Sequence, residues 1–326
     1  MTRAGVWYAQ RPVTVLGGFG FIGSNLTDRL AALGARVTVV SHSLDRHRTA
    51  ASDAERCGIR VREGDLRDAG AMRAAVAGQD VVFNLAGQSG ATQSMEDPWT
   101  DLDVNCRGNL VLLEALRVHA PAAKLVFVGS RLAYGRVGSD AVREDRSADP
   151  LCIHAVHKLA VERYLAVYGG AYGLNFSVAR LTNPYGPGQP RERSAYGVIN
   201  RLIHLALSDD ALPIYGDGRQ RRDYIYVDDA VAALLALGET PASKGRIYNV
   251  GSGVGTRMVD MASTILSIVG GGRIEHREWP RLAAQIETGD FVADVARIRS
   301  EVGWEPRVPL HDGLTRTIAF YRAHAA

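Results

Sequence analysis

Three glycines, Gly17, Gly20 and Gly23, follow the apolar run Val13–Leu16 and open a stretch with helical spacing. Glycines spaced G-x-x-G-x-x-G between a strand and a helix suit the pyrophosphate of a dinucleotide. The first makes the tight turn, the second lets backbone N–H groups approach the anion, and the third lets the helix pack on the strand. Phe21 and Ile22 then lie in the first helical turn, whose free N–H groups face the phosphates. The next apolar run, Val37–Val40, ends in Ser41-His42-Ser43, with Arg46 and Arg48 following and no carboxylate before Asp45. A small polar residue near arginine suits the 2′-phosphate of NADP, whereas Asp45 or the loop backbone would serve NAD. The pattern tilts toward NADP and leaves NAD open. His154 and His157 stand beside Lys158, but histidines at i,i+3 next to a lysine have no evident carboxylate or thiolate companion, so no metal site is expected.

The elements that must position these residues alternate along the first half of the 326-residue chain. Apolar runs at Val13–Leu16, Val37–Val40, Val81–Leu85, Leu125–Val128 and Phe176–Ala179 are separated by helical spacing, as in Gly23–Leu33 and Asn105–Val118. Continuous apolar strands separated by helices are what a parallel sheet covered on both faces requires. The expected fold is therefore α/β, a doubly wound parallel sheet of Rossmann type with a smaller C-terminal substrate-binding part. Residues 1–180 form the dinucleotide-binding domain, to which 228–255 return, and 181–227 with 256–326 form the substrate part.

Composition sets the outer limits. A formal charge of +3, from 38 basic and 35 acidic residues, is too balanced for a nucleic-acid or membrane-surface protein. Cys57, Cys106 and Cys152 are scattered and form no C-x-x-C, which excludes a disulfide framework and a zinc ribbon and fits a reducing compartment. The first residues carry no apolar run of a signal peptide, and no apolar run approaches the length that spans a bilayer. A cytoplasmic globular protein is expected.

Further segments fall in an order that resembles the extended short-chain dehydrogenase/reductases, in the nucleotide-sugar epimerase and dehydratase branch. Gly64-Asp65-Leu66-Arg67-Asp68 is similar to the family's adenine-binding segment, with Asp65 toward the adenine amine and Leu66 beside it. Asn84-Leu85-Ala86-Gly87-Gln88-Ser89 resembles the strand end under the cofactor, and Asn105 stands where the family keeps a helix asparagine. Arg180 to Gly188 resembles its substrate and nicotinamide loop, Gly216 to Asp229 its phosphate-gripping segment, and Tyr248 to Gly251 its late strand. The resemblance covers almost the whole chain. It implies an enzyme that binds NAD or NADP and a nucleotide-activated sugar.

The family's catalytic residues are Ser or Thr, Tyr and Lys, with Tyr four residues before Lys. A base takes a sugar hydroxyl proton as hydride leaves the carbon, and the lysine ammonium lowers the base's pKa and holds the nicotinamide ribose. Lys158, one of only three lysines, matches the lysine, and Ser130, four residues before Tyr134-Gly135, matches the serine. The tyrosine position is occupied by His154. Three readings follow: His154 is the base as a neutral imidazole, or His157 or a tyrosine such as Tyr134 takes its place, or the site is inactive.

Members that eliminate water read Thr-Asp-Glu where this chain reads Ser130-Arg131-Leu132, so 4,6-dehydration is disfavoured. Epimerisation by transient oxidation is the first function implied. Net oxidation or reduction of a sugar or ketone, and a catalytically impaired cofactor-binding protein, are the alternatives. Gln88, Arg131, Asn183 and Arg222 are the implied substrate residues, Arg222 on the diphosphate, unless it only pairs with Asp223 or Asp228. Where many relatives place a second phosphate-binding arginine this chain has Glu287-Thr288-Gly289-Asp290, and Arg281 is the candidate substitute. The resemblance also implies a homodimer through the helices near Asp103–His119 and His154–Tyr168, where Leu159, Val161, Leu165 and Tyr168 add apolar surface.

Overall fold

The computed structural model describes residues 3–138, 140–189 and 197–324. Its centre is built from the apolar runs, which become β1 (Pro12–Leu16), β2 (Arg36–Ser41), β3 (Arg60–Glu63), β4 (Val81–Asn84), β5 (Lys124–Ser130), β6 (Asn175–Leu181) and β7 (Arg246–Val250). All seven pair in parallel, in the order β7-β6-β5-β4-β1-β2-β3. Parallel neighbours need crossovers, and helices supply them. The ones that matter for the site are α1 (Phe21–Ala32), α2 (Gly108–His119), α3 (Ile153–Tyr172) and α4 (Val227–Glu239).

Each face of the sheet has its own core, because alternate side chains of one strand point to opposite faces. Val81 and Phe83 of β4 pack with Leu26 and Leu30 of α1 and with the Ala230–Leu237 run of α4. Val82 of the same strand packs on the other face, with Leu112 and Leu116 of α2 and Val161 and Leu165 of α3. This is the doubly wound α/β arrangement expected. A buried bidentate pair ties α3 to the sheet: Arg180 donates from Nε to Glu162 Oε1 (2.9 Å) and from Nη2 to Oε2 (2.5 Å).

Beyond β6 the elements are short. Asn183–Tyr185, Arg221–Tyr226 and Gly255–Arg257 form a three-stranded sheet, and Leu212–Tyr215 pairs with Ile274–Arg277. Their own core contains Tyr185, Leu202, Ile203, Tyr226, Ile265 and Ile318. The chain passes back to the central sheet through α4 and β7. Among the described residues no helix is long and apolar enough to cross a membrane.

Candidate active site

A cleft of about 870 Å³ runs along the carboxyl ends of the parallel strands, lined by Leu16, Val40, Leu85, Val128, Ser130 and Leu181. That is where an open parallel sheet leaves a crevice between diverging connections. The glycine loop forms one wall. Gly17 has φ +77°, its N–H donates to Val40 O (2.9 Å), and a Cβ there would lie 3.0 Å from the Ala86 backbone. At Gly23 a Cβ would lie 2.1 Å from Gly17 O, so only glycine lets α1 approach β1 this closely. Gly20 caps the N-terminus of α1, whose first residues, Phe21 and Ile22, also line the cleft. The cradle is one that side chains would fill, and it offers free N–H groups to an anion, so these residues fit a dinucleotide.

At the end of β2, Ser41, His42, Arg46 and His47 line the cleft. Asp45 does not: it pairs with Arg48 at 3.0 Å, and both side chains are exposed. Asp65 and Leu66 lie further along the same wall. Hydrogen bonds from Arg67 (Nη2 to Oδ2 at 2.7 Å, Nε to Oδ1 at 2.9 Å) hold the Asp65 carboxyl at about 2. Below them Leu85, Ala86, Gly87 and Gln88 form the floor. A relay of asparagines fixes it. Asn84 accepts from Ala86 N–H (3.1 Å) and donates to Asn109 Oδ1 (2.7 Å), Asn109 donates to Asn105 O (2.7 Å), and Asn105 donates to Gln88 O (3.0 Å). Asn105 is therefore fully buried behind the floor, which it holds through Gln88 O, and does not itself line the cleft.

Ser130, His154 and Lys158 all line the cleft. The spacing of four on α3 puts His154 and Lys158 on one helix face. Ser130 ends β5, and its Oγ accepts from Leu132 N–H (3.2 Å). Lys158 Nζ donates to Val128 O (3.1 Å) and sits 4.8 Å over the Phe127 ring. Burial lowers its ammonium to about 8, with Asp101, Glu162 and Cys106 opposing the shift. Burial also lowers His154 below its ordinary value; Asp101 opposes that shift, and Lys158 and His157 add to it. Of the other two candidate bases, Tyr134 is fully buried, donates to Asn249 Oδ1 (2.7 Å) and is raised by burial to about 12. His157 Nδ1 faces Asp101 Oδ1 at 2.7 Å, and neither His157 nor Tyr134 lines the cleft.

Asp101 is the residue that sequence reasoning missed. It stands in the short helix Pro98–Leu102, with no linear signal connecting it to α3. The histidine pair does have a carboxylate companion, contrary to expectation, although no group of three or more His, Cys, Asp or Glu among the described residues could hold a metal ion.

The other wall comes from Thr182, Asn183, Pro184 and Tyr224 of the C-terminal part, met there by Arg131 from the turn after β5. Arg131 is 8% exposed, donates to Thr288 Oγ1 (3.0 Å) and lies 3.5 Å from Asn183 Oδ1. Burial, with Arg222 nearby, lowers it to about 10. Asn183 also donates to Asp223 O (2.7 Å). Arg222 departs from the ion pairs expected of it. It pairs with neither Asp223 nor Asp228; its guanidinium is held by the Glu287 carboxylate and Gly289 O, and it does not itself line the cleft. Asp223 instead accepts from the backbone of Ser252, Gly253 and Ala293. Arg281 is exposed and does not line the cleft.

The geometry has close parallels. The chain is 34% identical over 314 residues to the UDP-glucose 4-epimerase of Mycolicibacterium smegmatis, covering 94% of this chain and 97% of that relative. It is 30% identical over 318 residues to the dTDP-glucose 4,6-dehydratase of Streptomyces griseus, covering 95% and 94%. Its fold superposes on the UDP-glucose 4-epimerase of Thermus thermophilus in complex with NAD with a TM-score of 0.85, at 31% identity, over 95% and 99% of the two chains. Residues 13–251 match one family throughout, from the glycine loop to the end of the late strand, and by that match the chain belongs to the NAD-dependent epimerase/dehydratase family.

Proposed function

We propose that the chain is a nucleotide-sugar 4-epimerase that uses NAD or NADP, working in the cytoplasm as a homodimer. The observation that carries the reading is the meeting of Ser130, His154 and Lys158 in one cleft with Arg131 and Leu132, not acids, at the next two positions. Dehydration needs an acid there to protonate the leaving hydroxyl, and epimerisation does not. Residues up to about 180, with 228–255, hold the dinucleotide; 181–227 and 256–326 hold the sugar nucleotide.

Gly17, Gly20 and Gly23 would hold the pyrophosphate, Ser41 and Arg46 the adenosine ribose side, Asp65 and Leu66 the adenine, and Leu85 to Gly87 the floor. When bound, the nicotinamide supplies a reversible hydride acceptor. His154 takes the proton of the sugar hydroxyl and later returns it, Ser130 donates a hydrogen bond to the reacting oxygen, and Lys158 holds positive charge beside both. Gln88, Arg131 and Asn183 orient the sugar nucleotide. The test is incubation with UDP-glucose and with dTDP-glucose, with the sugars separated chromatographically. The C4 epimer should form with no net consumption of cofactor. A 4-keto-6-deoxy product, stoichiometric oxidation, or bound cofactor without turnover would each overturn the reading.

The Arg222–Glu287 pair makes a quantitative prediction. A diphosphate reaching Arg222 must displace a carboxylate already bound there. Glu287→Gln should tighten UDP or dTDP binding about 10- to 100-fold, the range of one charge-assisted hydrogen bond. Calorimetric titration of each nucleotide is the check; unchanged affinity would place the phosphates away from Arg222.

For the homodimer, the structure revises which residues would serve. Val161 and Leu165 are buried in the chain's own core, and Tyr168 donates to Glu114 (2.6 Å). The apolar groups left exposed on α2 and α3 are Val118, Val156, Val167 and Tyr172. Light scattering at micromolar concentration should return the mass of two chains, and Val167→Glu should return one.

A further inference from the structure

Asp101 has no part in the chemistry described so far, yet it is completely buried. A buried carboxylate is costly unless donors surround it. Oδ1 has one, His157 Nδ1 at 2.7 Å. Oδ2 has no hydrogen-bond partner, and His154 Nδ1 stands 3.5 Å from it. An imidazole carries one proton when neutral, and which nitrogen holds it depends on the partner it meets. A proton on His154 Nδ1 would give Oδ2 its donor and leave Nε2 as the lone-pair nitrogen for the cleft.

Resting on the reading of His154 as the acid/base group, we propose that Asp101 is its positioning residue. Its carboxylate holds the imidazole in the Nδ1–H form and supplies the negative charge that a tyrosinate would carry at this position. The charges balance in a definite way. A tyrosinate beside Lys158 sums to zero and becomes +1 when it takes the sugar's proton. Asp101, neutral His154 and Lys158 also sum to zero and become +1 in the same step. The anion has moved one residue back from the reacting proton. Other groups facing His154 do not supply it. Lys158 and His157 share its helix, Asn105 Nδ2 lies 3.5 Å from Nδ1, Ser94 Oγ accepts the His154 backbone N–H, and Cys106 and Cys152 are buried thiols raised by that burial. Burial would raise Asp101 itself, but the side chains of His154, Asn105 and His157 hold it at about 2, so it is an anion across the working range.

The test joins spectroscopy to kinetics. In the ¹⁵N-histidine-labelled protein, two-bond ¹H–¹⁵N correlations, assigned by the signal lost in His154→Ala, should show the Nδ1–H form at His154. The Nε2–H form would overturn the proposal, and this measurement needs no Asp101 variant to fold. Asp101→Asn should lower kcat on the order of 10²-fold or more, as loss of the orienting anion does in a carboxylate–histidine pair. The acid limb of the pH profile should move about one unit lower, because a nearby opposite charge no longer favours the imidazolium. A fall in activity with the limb unmoved would mean a structural role only and would overturn the proposal. If His154→Ala is as active as the parent, the base reading fails on its own, while the spectra still report whether Asp101 orients the ring.

Discussion

His154→Ala should lower turnover of a nucleotide sugar about 10²- to 10⁴-fold, the usual range for a general acid–base group, with dinucleotide affinity little changed. The imidazole lines the cleft from α3, a different element from the glycine loop and α1 that would hold the phosphates. Removing it takes away a proton acceptor and no phosphate contact. The pH dependence has two limbs of known sign. Burial lowers His154 below its ordinary 6.5, so the base is lost as pH falls through that depressed value. Burial lowers Lys158 to about 8, so its positive charge is lost as pH rises through about 8. Activity should therefore peak between the two, with limbs that belong to the coupled set rather than to either residue. Epimer formation measured across pH for the parent and the variant decides the matter. A variant as fast as the parent removes His154 from the reaction.

Gly20→Val should abolish dinucleotide binding in a chain that still folds. Gly20 has φ −76° and ψ 172°, an extended conformation open to any residue, and an added Cβ would come no closer than 3.2 Å to Gly17 O. The φ and ψ suit a side chain and Gly17 O need give only a few tenths of an ångström, but the branched methyl groups would enter the space over the first N–H groups of α1. Gly23 is different: its Cβ would collide with Gly17 O at 2.1 Å, so Gly23→Ala damages the packing of α1 on β1 and lowers stability as well. Titration with NAD and NADP, beside circular dichroism and thermal unfolding, separates the two effects. Undiminished affinity in a folded Gly20→Val protein would remove the loop from the binding site.

The central sheet was readable because a strand buried on both faces must be apolar without interruption. Five runs announced β1, β2, β4, β5 and β6. β3 was not announced: Arg-Val-Arg-Glu is an edge strand with half-exposed and exposed positions, so no apolar run was needed. The glycine loop was legible from local spacing between a strand and a helix, whereas Ser130, His154 and Lys158 were singled out only by the resemblance to the family's catalytic positions, and all three line the cleft. Asp101 and Glu287 were not assigned their contacts for the opposite reason. Each meets its partner only after distant elements pack, and a lone acid in a polar stretch looks like solvent-facing charge. Asn109, which anchors the cleft floor, was hidden in a helix whose apolar spacing gave no sign of a polar relay.

The pairing of Arg222 with Glu287 means that the protein carries its own counter-ion. Arg131 and Arg222 are 8% and 5% exposed, and two guanidinium groups this dry would destabilise an empty cleft if no anion faced them. Capture of a diphosphate at Arg222, as proposed above, would then be an exchange of one anion for another rather than the neutralisation of bare charge. Such an exchange depends less on ionic strength than binding to two unpaired arginines would, because the cleft's net charge changes less. It would also tie affinity to resting stability: a carboxylate that competes with a diphosphate for Arg222 would be the one that neutralises this buried guanidinium in the empty protein. Replacing Glu287 should therefore yield a protein that melts earlier when empty and gains more from its nucleotide.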